Sequence, residues 1–218
     1  MRYFIVSDIH SFYDELIAAL KEKGFNKEED TLVVAGDIFD RGPKPRQVYN
    51  FLKKLKNKIL IKGNHEELYL DLLRRGYPEW HDYHNGTEET FAILFGEDDS
   101  GFPNILKAKK SVITKFIRSI VTPYVEIGNY VICHSRPRDT WGNPYVQSKI
   151  PGKTIVFGHW HTSDGPNFAE GKLEDNIFYG DGIIGIDAGV SYCRGKFHHK
   201  QNVLVIESDE PVTYGGSL

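Results

Sequence analysis

Five short polar clusters each follow directly on a short apolar run. Ser7-Asp8-Ile9-His10 comes after the run at 3–6, and Gly36-Asp37-Ile38-Phe39-Asp40-Arg41-Gly42 after Thr31–Ala35. Gly63-Asn64-His65-Glu66 comes after the run at 59–62, His134 after Tyr130–Cys133, and Gly158-His159-Trp160-His161 after the run at 154–157. Imidazole suits zinc, iron, nickel or copper, and carboxylate suits magnesium or manganese, so this mixed set tolerates manganese, iron or zinc. No thiolate stands at the cluster ends, which argues against a structural zinc site. Asp8 and His10 can put two donors on one cation from a single loop, and Asp37 could bridge to a second. A pair of cations about 3.5–4 Å apart is the arrangement used for in-line phosphoryl displacement.

Each cluster has an ordinary explanation when taken alone. Asp8 could cap a helix. A lone histidine is more often a core or surface residue than a ligand. Asp40-Arg41-Gly42 could be a turn with a surface ion pair, and Asn64 an Asx-turn. Together these explanations fail, because they leave the recurrence of Asp, His and Asn at strand ends unexplained. In layered α/β folds ligands bind beyond the carboxyl ends of the strands, so the five clusters can converge on one place.

The elements that must do this positioning are legible from hydrophobic period and punctuation. Strands are expected at 3–7, Thr31–Ala35 and 59–62, each followed by a helix, at 11–23, 45–55 and 66–75. Ser11 is the expected N-cap of the first helix, and Gly24 and Gly76 stop the first and third. Three β-then-α units in succession predict parallel pairing. The segment 77–101 is aromatic and polar with a turn at Asn85-Gly86, and 104–120 is expected as a single helix. Together 77–122 are read as a helical insertion over one sheet edge. Strands follow at Tyr124–Ile127, Tyr130–Cys133, 154–157, Ile183–Asp187 and 203–207, with Gly128-Asn129 as a hairpin turn. Without repeats or linkers, 1–218 reads as a single domain.

Composition bounds the rest. The chain has 218 residues, 40% of them hydrophobic, and a formal net charge of −3. There is no global positive excess to draw it to nucleic acid or anionic lipid. No apolar run approaches the roughly 18 residues of a membrane span, and the N-terminal apolar run is too short for a signal peptide. The two cysteines, Cys133 and Cys193, are not a disulfide scaffold. The expectation is a cytoplasmic monomer with reduced thiols, free of nucleic-acid and membrane partners.

At these clusters the chain resembles the metallophosphoesterase superfamily, and more narrowly its phosphoprotein phosphatase (serine/threonine protein phosphatase) branch, of the small bacterial and bacteriophage type. That family carries D-x-H, G-D-x-x-D-R-G, G-N-H-E, a strand-end His and G-H in this order, as here. Asn85-Gly86-Thr87 is similar to the N-G-G of the bacterial branch, with Thr for the second Gly. Tyr192-Cys193-Arg194-Gly195 is similar to the N-Y-C-G of the eukaryotic enzymes. The departures are Ser11 where Gly is common, Ser135-Arg136-Pro137 after His134 in place of small residues, and His161, which gives the Gly-His-x-His of the wider superfamily.

The resemblance implies an α/β fold, the calcineurin-like metallophosphoesterase sandwich of two mixed β-sheets flanked by helices. It implies two divalent metal ions, manganese in vitro with iron or zinc as alternatives. Asp8, His10 and Asp37 would hold the first, with His161 as an optional further ligand to it, and Asp37, Asn64, His134 and His159 the second. His65 would be the general acid, oriented by Asp40, and Arg41 would grip the phosphate. Arg136, with Arg138 as a weaker candidate, and Tyr192 would meet the substrate, although a core tyrosine is an equal reading of Tyr192. Glu66 reads as a first-turn helix residue favoured by the dipole. The implied function is a serine/threonine protein phosphatase using a metal-bridging hydroxide and no phosphoenzyme. The alternative is a hydrolase of diadenosine tetraphosphate or another nucleotide, which shares these motifs. A scaffold that has lost catalysis is the third reading, and the filled ligand positions argue against it.

Overall fold

The first three strands are apolar on both faces, which places them between two layers. In the computed structural model, which describes residues 1–135, 143–146, 149–190 and 200–215, β1 (Arg2–Val6), β2 (Thr31–Ala35) and β3 (Lys58–Ile61) pair in parallel. Each leads into a helix: α1 (Tyr13–Glu22), α2 (Pro45–Lys54) and α3 (Asn64–Arg75). Phe4, Val6, Leu32 and Val34 pack with Leu16, Leu20, Val48 and Leu52 in a core under these helices. The alternate residues, Tyr3, Ile5, Val33, Ala35, Ile59 and Ile61, belong to a second core between the sheets.

Between 77 and 122 lie α4 (Trp80–Asn85), α5 (Thr87–Phe95), α6 (Ile105–Lys109) and α7 (Val112–Arg118). Phe91, Leu94, Ile113 and Ile117 extend the helical core. The single helix expected over 104–120 is broken, because Ser111 caps a new one. Its Oγ accepts the N–H groups of Ile113 at 3.0 Å and Thr114 at 3.2 Å.

The second sheet contains β4 (Tyr124–Ile127), β5 (Tyr130–Cys133) and β6 (Thr154–His161). After the short α8 (Gly165–Phe168) come β7 (Gly171–Glu174), β8 (Ile177–Gly180), β9 (Ile183–Asp187), β10 (Leu204–Glu207) and β11 (Thr213–Tyr214). Strand β10 returns to lie antiparallel to β1. Among the described residues the sheets run β10-β1-β2-β3 and β11-β4-β5-β6-β9-β8-β7. Both are mixed, and Val125, Ile132, Val156 and Ile184 of the second face Ile5 and Val33 of the first across a shared core. This is the expected sandwich.

The β7–β8 hairpin was not expected from the hydrophobic pattern, and its one local sign is the Asp175-Asn176 pair. Strand β7 is exposed throughout, so no apolar alternation marks it, and its turn rests on Asp175 and Asn176 at φ 49° and 61°. Cys133 is buried, with its thiol 3.8 Å from the Val156 carbonyl. Cys193 lies outside the described residues. No helix among the described residues is long and apolar enough to cross a membrane.

Candidate metal centre

Parallel β1, β2 and β3 deliver their three following loops to one sheet edge, where backbone bonds lace them together. Asp8 N–H donates to the Gly36 carbonyl at 3.1 Å, His10 N–H to that of Asp37 at 3.0 Å, and Ser11 N–H to that of Ile38 at 3.0 Å. This lacing holds Ser11 at φ 63° and delays the start of α1 to Tyr13, so Ser11 belongs to the loop and is not a helix cap. Asp8, His10, Asp37, Asp40, Arg41 and His159 also lie at positive φ, from 45° to 74°. Such conformations cost on the order of 1–3 kcal/mol each and persist only where surroundings over-determine them. Loops of the two sheets meet where Asp8 Oδ2 accepts the His159 N–H at 2.9 Å. Two glycines permit the approach. A Cβ on Gly158 would overlap the Asp8 carboxylate, and one on Gly63 would overlap that of Asp37.

The imidazoles are oriented by backbone. His10 Nδ1 donates to the Phe39 carbonyl at 3.0 Å and His134 Nδ1 to that of Ala35 at 2.9 Å. Both therefore turn Nε2 inward, as metal-ligating histidines do. The carboxylate of Asp37 is divided between two groups of donors. Its Oδ2 lies 3.7 Å from His10 Nε2 and 3.8 Å from His65 Nε2, and its Oδ1 lies 3.3 Å from His134 Nε2. Asn64 Oδ1 sits between His134 Nε2 at 2.9 Å and His159 Nδ1 at 3.0 Å. In each of the sets His10–Asp37–His65 and Asp37–His134–His159 the donor atoms lie within 4.8 Å of one another. Nitrogen and oxygen donors around a shared carboxylate fit a pair of divalent cations. The second set falls within the expected group of Asp37, Asn64, His134 and His159. In the first, His65 comes closer to Asp37 than expected, and Asp8 Oδ1 stands 4.0 Å from His10 Nε2.

His65 has partners on both ring nitrogens. Nδ1 donates to Asp40 Oδ2 at 2.7 Å, and Nε2 accepts from Arg41 Nη2 at 3.1 Å, while Arg41 Nη1 reaches His10 Nε2 at 3.2 Å. Asp40 Oδ2 also takes the Thr87 hydroxyl at 2.7 Å, a contact hidden in the sequence except as the departure in Asn85-Gly86-Thr87. Glu66 does more than open a helix. Its carboxylate accepts the backbone N–H groups of Asp37 at 3.1 Å, Ile38 at 3.0 Å and Gly63 at 2.9 Å. The helix itself begins at Asn64, two residues before the expected start, so Asn64 and His65 both sit in its first turn.

Burial sets the electrostatics. It pushes the Asp8 carboxyl up to about 6, against the pull of His134. Burial also raises Asp37, but His134, His65 and His10 outweigh it and hold that carboxyl well below its ordinary range. Burial, then His65, depresses His10 far below the usual imidazole value, and burial with His134 takes His159 down to about 4. For His134 burial is overcome by the Asp37 charge, which lifts it to about 10. His65 is raised likewise, since Asp37 and Asp40 together outweigh burial and Arg41.

The structure brings Asp8, His10, Asp37, Asp40, Arg41, Asn64, His65, His134 and His159 together. Arg136, Arg138 and Tyr192 lie outside the described residues. His161 Nε2 stands 3.7 Å from Asp187 Oδ2, and burial, then Asp8, raises that carboxyl to about 7.

The comparisons with known proteins agree with this geometry. The profile of the calcineurin-like phosphoesterases matches residues 1–163. A symmetrical bis(5'-nucleosyl)-tetraphosphatase of Vibrio vulnificus (strain CMCP6) is 30% identical over 142 residues, 65% of this chain and 46% of that protein. A protein of the same name from Enterobacter sp. (strain 638) is 42% identical over 67 residues, 30% of this chain and 24% of its own length. The chain thus spans less than half the length of these curated relatives. A crystal structure of a candidate diadenosine tetraphosphatase superposes with a TM-score of 0.61 at 20% identity, covering 99% of this chain and 94% of the other. A cold-active protein-tyrosine phosphatase of a psychrophilic Shewanella species superposes at 0.55 and 18% identity, covering 99% and 80%. At such identities these two speak for the fold alone. The profile match covers most of the sequence, and the chain belongs to the calcineurin-like phosphoesterase family.

Proposed function

We propose that this protein is a metal-dependent hydrolase of dinucleoside tetraphosphates, cutting the chain between its two central phosphates to give two nucleoside diphosphates. The observation that carries the chemistry is the division of the Asp37 carboxylate, with one oxygen toward His10 and His65 and the other toward His134. The substrate class rests on the relatives, whose name is that of the dinucleotide enzymes, and they favour this reading over the serine/threonine protein phosphatase that the motifs equally allow.

Asp8, His10, Asp37, Asn64, His134 and His159 would hold two divalent cations, which when bound acidify water and offset charge at phosphorus. The protein's own groups do the rest. Arg41 turns its planar fork to the phosphate oxygens. That movement frees His65 Nε2 to take up a proton from solvent, and Asp40 keeps the ring aimed and its proton affinity high. His65 then gives a proton to the departing oxygen. Thr87 fixes Asp40, and Glu66 fixes the Asp37 loop. A general acid supplies about 10²–10⁴ in rate, so His65 is an accessory to the charge stabilisation and not its substitute.

The test is kcat/KM on diadenosine tetraphosphate and on a phosphoserine peptide, each with manganese. The dinucleotide is expected to be the better substrate. A clear preference for the peptide would restore the protein phosphatase reading.

A further inference from the structure

Asn64 has a second role, as the head of a groove. A cavity of about 1080 Å³ runs from it along one face of α3, past Leu68, Asp71 and Arg74, with Lys109 of α6 and Arg118 of α7 on its opposite wall. From Asn64 to Arg74 the helix rises roughly 15 Å. Two carboxylates line the groove, and both are neutralised locally. Glu67 pairs with Lys62 at 2.7 Å, and Asp71 pairs with Arg75 at 2.8 Å and with Arg74. Lys109 and Arg118 are exposed, and no ion pair among the described residues engages either. The unspent charge of the groove is therefore positive. Lys109 also lines an adjoining cavity of about 520 Å³, where Tyr77 and Phe102 stand 58% and 51% exposed beside Pro78 and Pro103.

A phosphoserine side chain leaves as an uncharged alcohol and has no use for a cationic track beyond the reacting phosphate. The departing half of a dinucleoside tetraphosphate carries two phosphates, a sugar and a base. We propose, resting on the function above, that the α3 groove is the seat of this departing nucleoside diphosphate. Its phosphates lie against Arg118 and Lys109, and its base stacks over Tyr77 and Phe102. The groove begins at the residue next to His65, the proton donor. Water adds its oxygen to one central phosphorus and the bond to the bridging oxygen breaks. That oxygen leaves with the groove-bound half and takes the His65 proton, while the proton lost from water goes to solvent. Lys109 and Arg118 are thus residues of specificity, which hold the departing phosphates and take no part in the proton transfer or the attack on phosphorus.

The test compares the wild-type enzyme with the double variant Lys109→Ala, Arg118→Ala, both exposed positions. The first readout is the ratio of kcat/KM for diadenosine tetraphosphate to that for p-nitrophenyl phosphate. The second is inhibition of p-nitrophenyl phosphate hydrolysis by ADP and by inorganic pyrophosphate. The ratio is expected to fall about fivefold or more, through KM, and ADP inhibition to weaken alongside. Phe102→Ala is expected to weaken ADP more than pyrophosphate. An unchanged ratio and unchanged ADP inhibition, in an enzyme that cleaves the dinucleotide, overturn the groove and leave the proposed function intact. A wild-type enzyme inert to the dinucleotide, yet losing ADP inhibition in the double variant, keeps the groove and removes the function. If the double variant instead loses selectively its activity on a phosphopeptide, the groove is a peptide track and the inference falls.

Discussion

The carboxylate of Glu66, in the first turn of α3, accepts the backbone N–H of Asp37 at 3.1 Å, and with it those of Ile38 and Gly63. One side chain thereby fixes the loop that carries the shared ligand. A glutamine at this position would turn an amide donor toward N–H donors. Glu66→Gln should weaken manganese binding by about 10–100-fold and cost about 1–3 kcal/mol of stability in the metal-free protein. Titration calorimetry and thermal melting measure the two effects. Unaltered affinity would contradict the role assigned to this contact.

Asp37 and His65 should separate cleanly. Asp37→Asn removes the charge that both donor groups share, so metal content and turnover should be lost together. His65→Asn should leave metal content near that of the wild type while lowering turnover by about 10²–10⁴. Metal analysis of the two purified variants, beside steady-state rates, decides this. Equal metal loss in both would place His65 among the ligands, as its 3.8 Å approach to Asp37 allows.

Asp40 raises the proton affinity of His65, and the general acid works only in its protonated form. The alkaline limb of the kcat profile should therefore report His65, with rate lost as pH rises through its pKa. Asp40→Asn should shift that limb to lower pH. Thr87→Val removes a hydrogen bond from the Asp40 oxygen that also accepts His65 Nδ1–H; it leaves the carboxylate its charge, so the limb should not move to lower pH, while looser positioning of the ring should cost about fivefold in rate. A limb that stays in place in Asp40→Asn would assign the proton to another group.

What could be read in advance divides by the range of the contact. The parallel β1–β2–β3 arrangement was legible because apolar runs and helical periods alternate within a few residues. Asp8, Asp37, Asn64 and His159 were legible because strand ends put chemistry beside punctuation. Glu66 and Thr87 were underread or missed, because their partners are backbone N–H groups and a carboxylate some 30 to 50 positions away. The break between α6 and α7 had a local sign, a serine with two lysines before it, which the apolar period overrode. The β7–β8 hairpin had only its Asp175-Asn176 turn as a sign, since an exposed strand carries no alternation.

Cation uptake should be linked to protons with a defined sign. His134, lifted to about 10, holds a proton at neutral pH in the metal-free protein and must release it when a cation takes its lone pair. Asp8, raised to about 6, is deprotonated at neutral pH, so affinity should fall as pH drops through about 6. Calorimetry in two buffers of different ionisation enthalpy measures the released proton. Zero net release at neutral pH would rule out His134 as a ligand.

The second donor group draws on both halves of the sandwich. Asp37 and Asn64 follow strands of one sheet, whereas His134 and His159 follow or end strands of the other. A cation held among them would act as a rivet between the two sheets. Chelation should therefore do more than silence the enzyme. It should free the layers to slide, with a lower melting temperature and faster amide exchange spreading inward from the β5 and β6 ends. With free cation at about 100 times its dissociation constant, the rivet is worth about 2.7 kcal/mol.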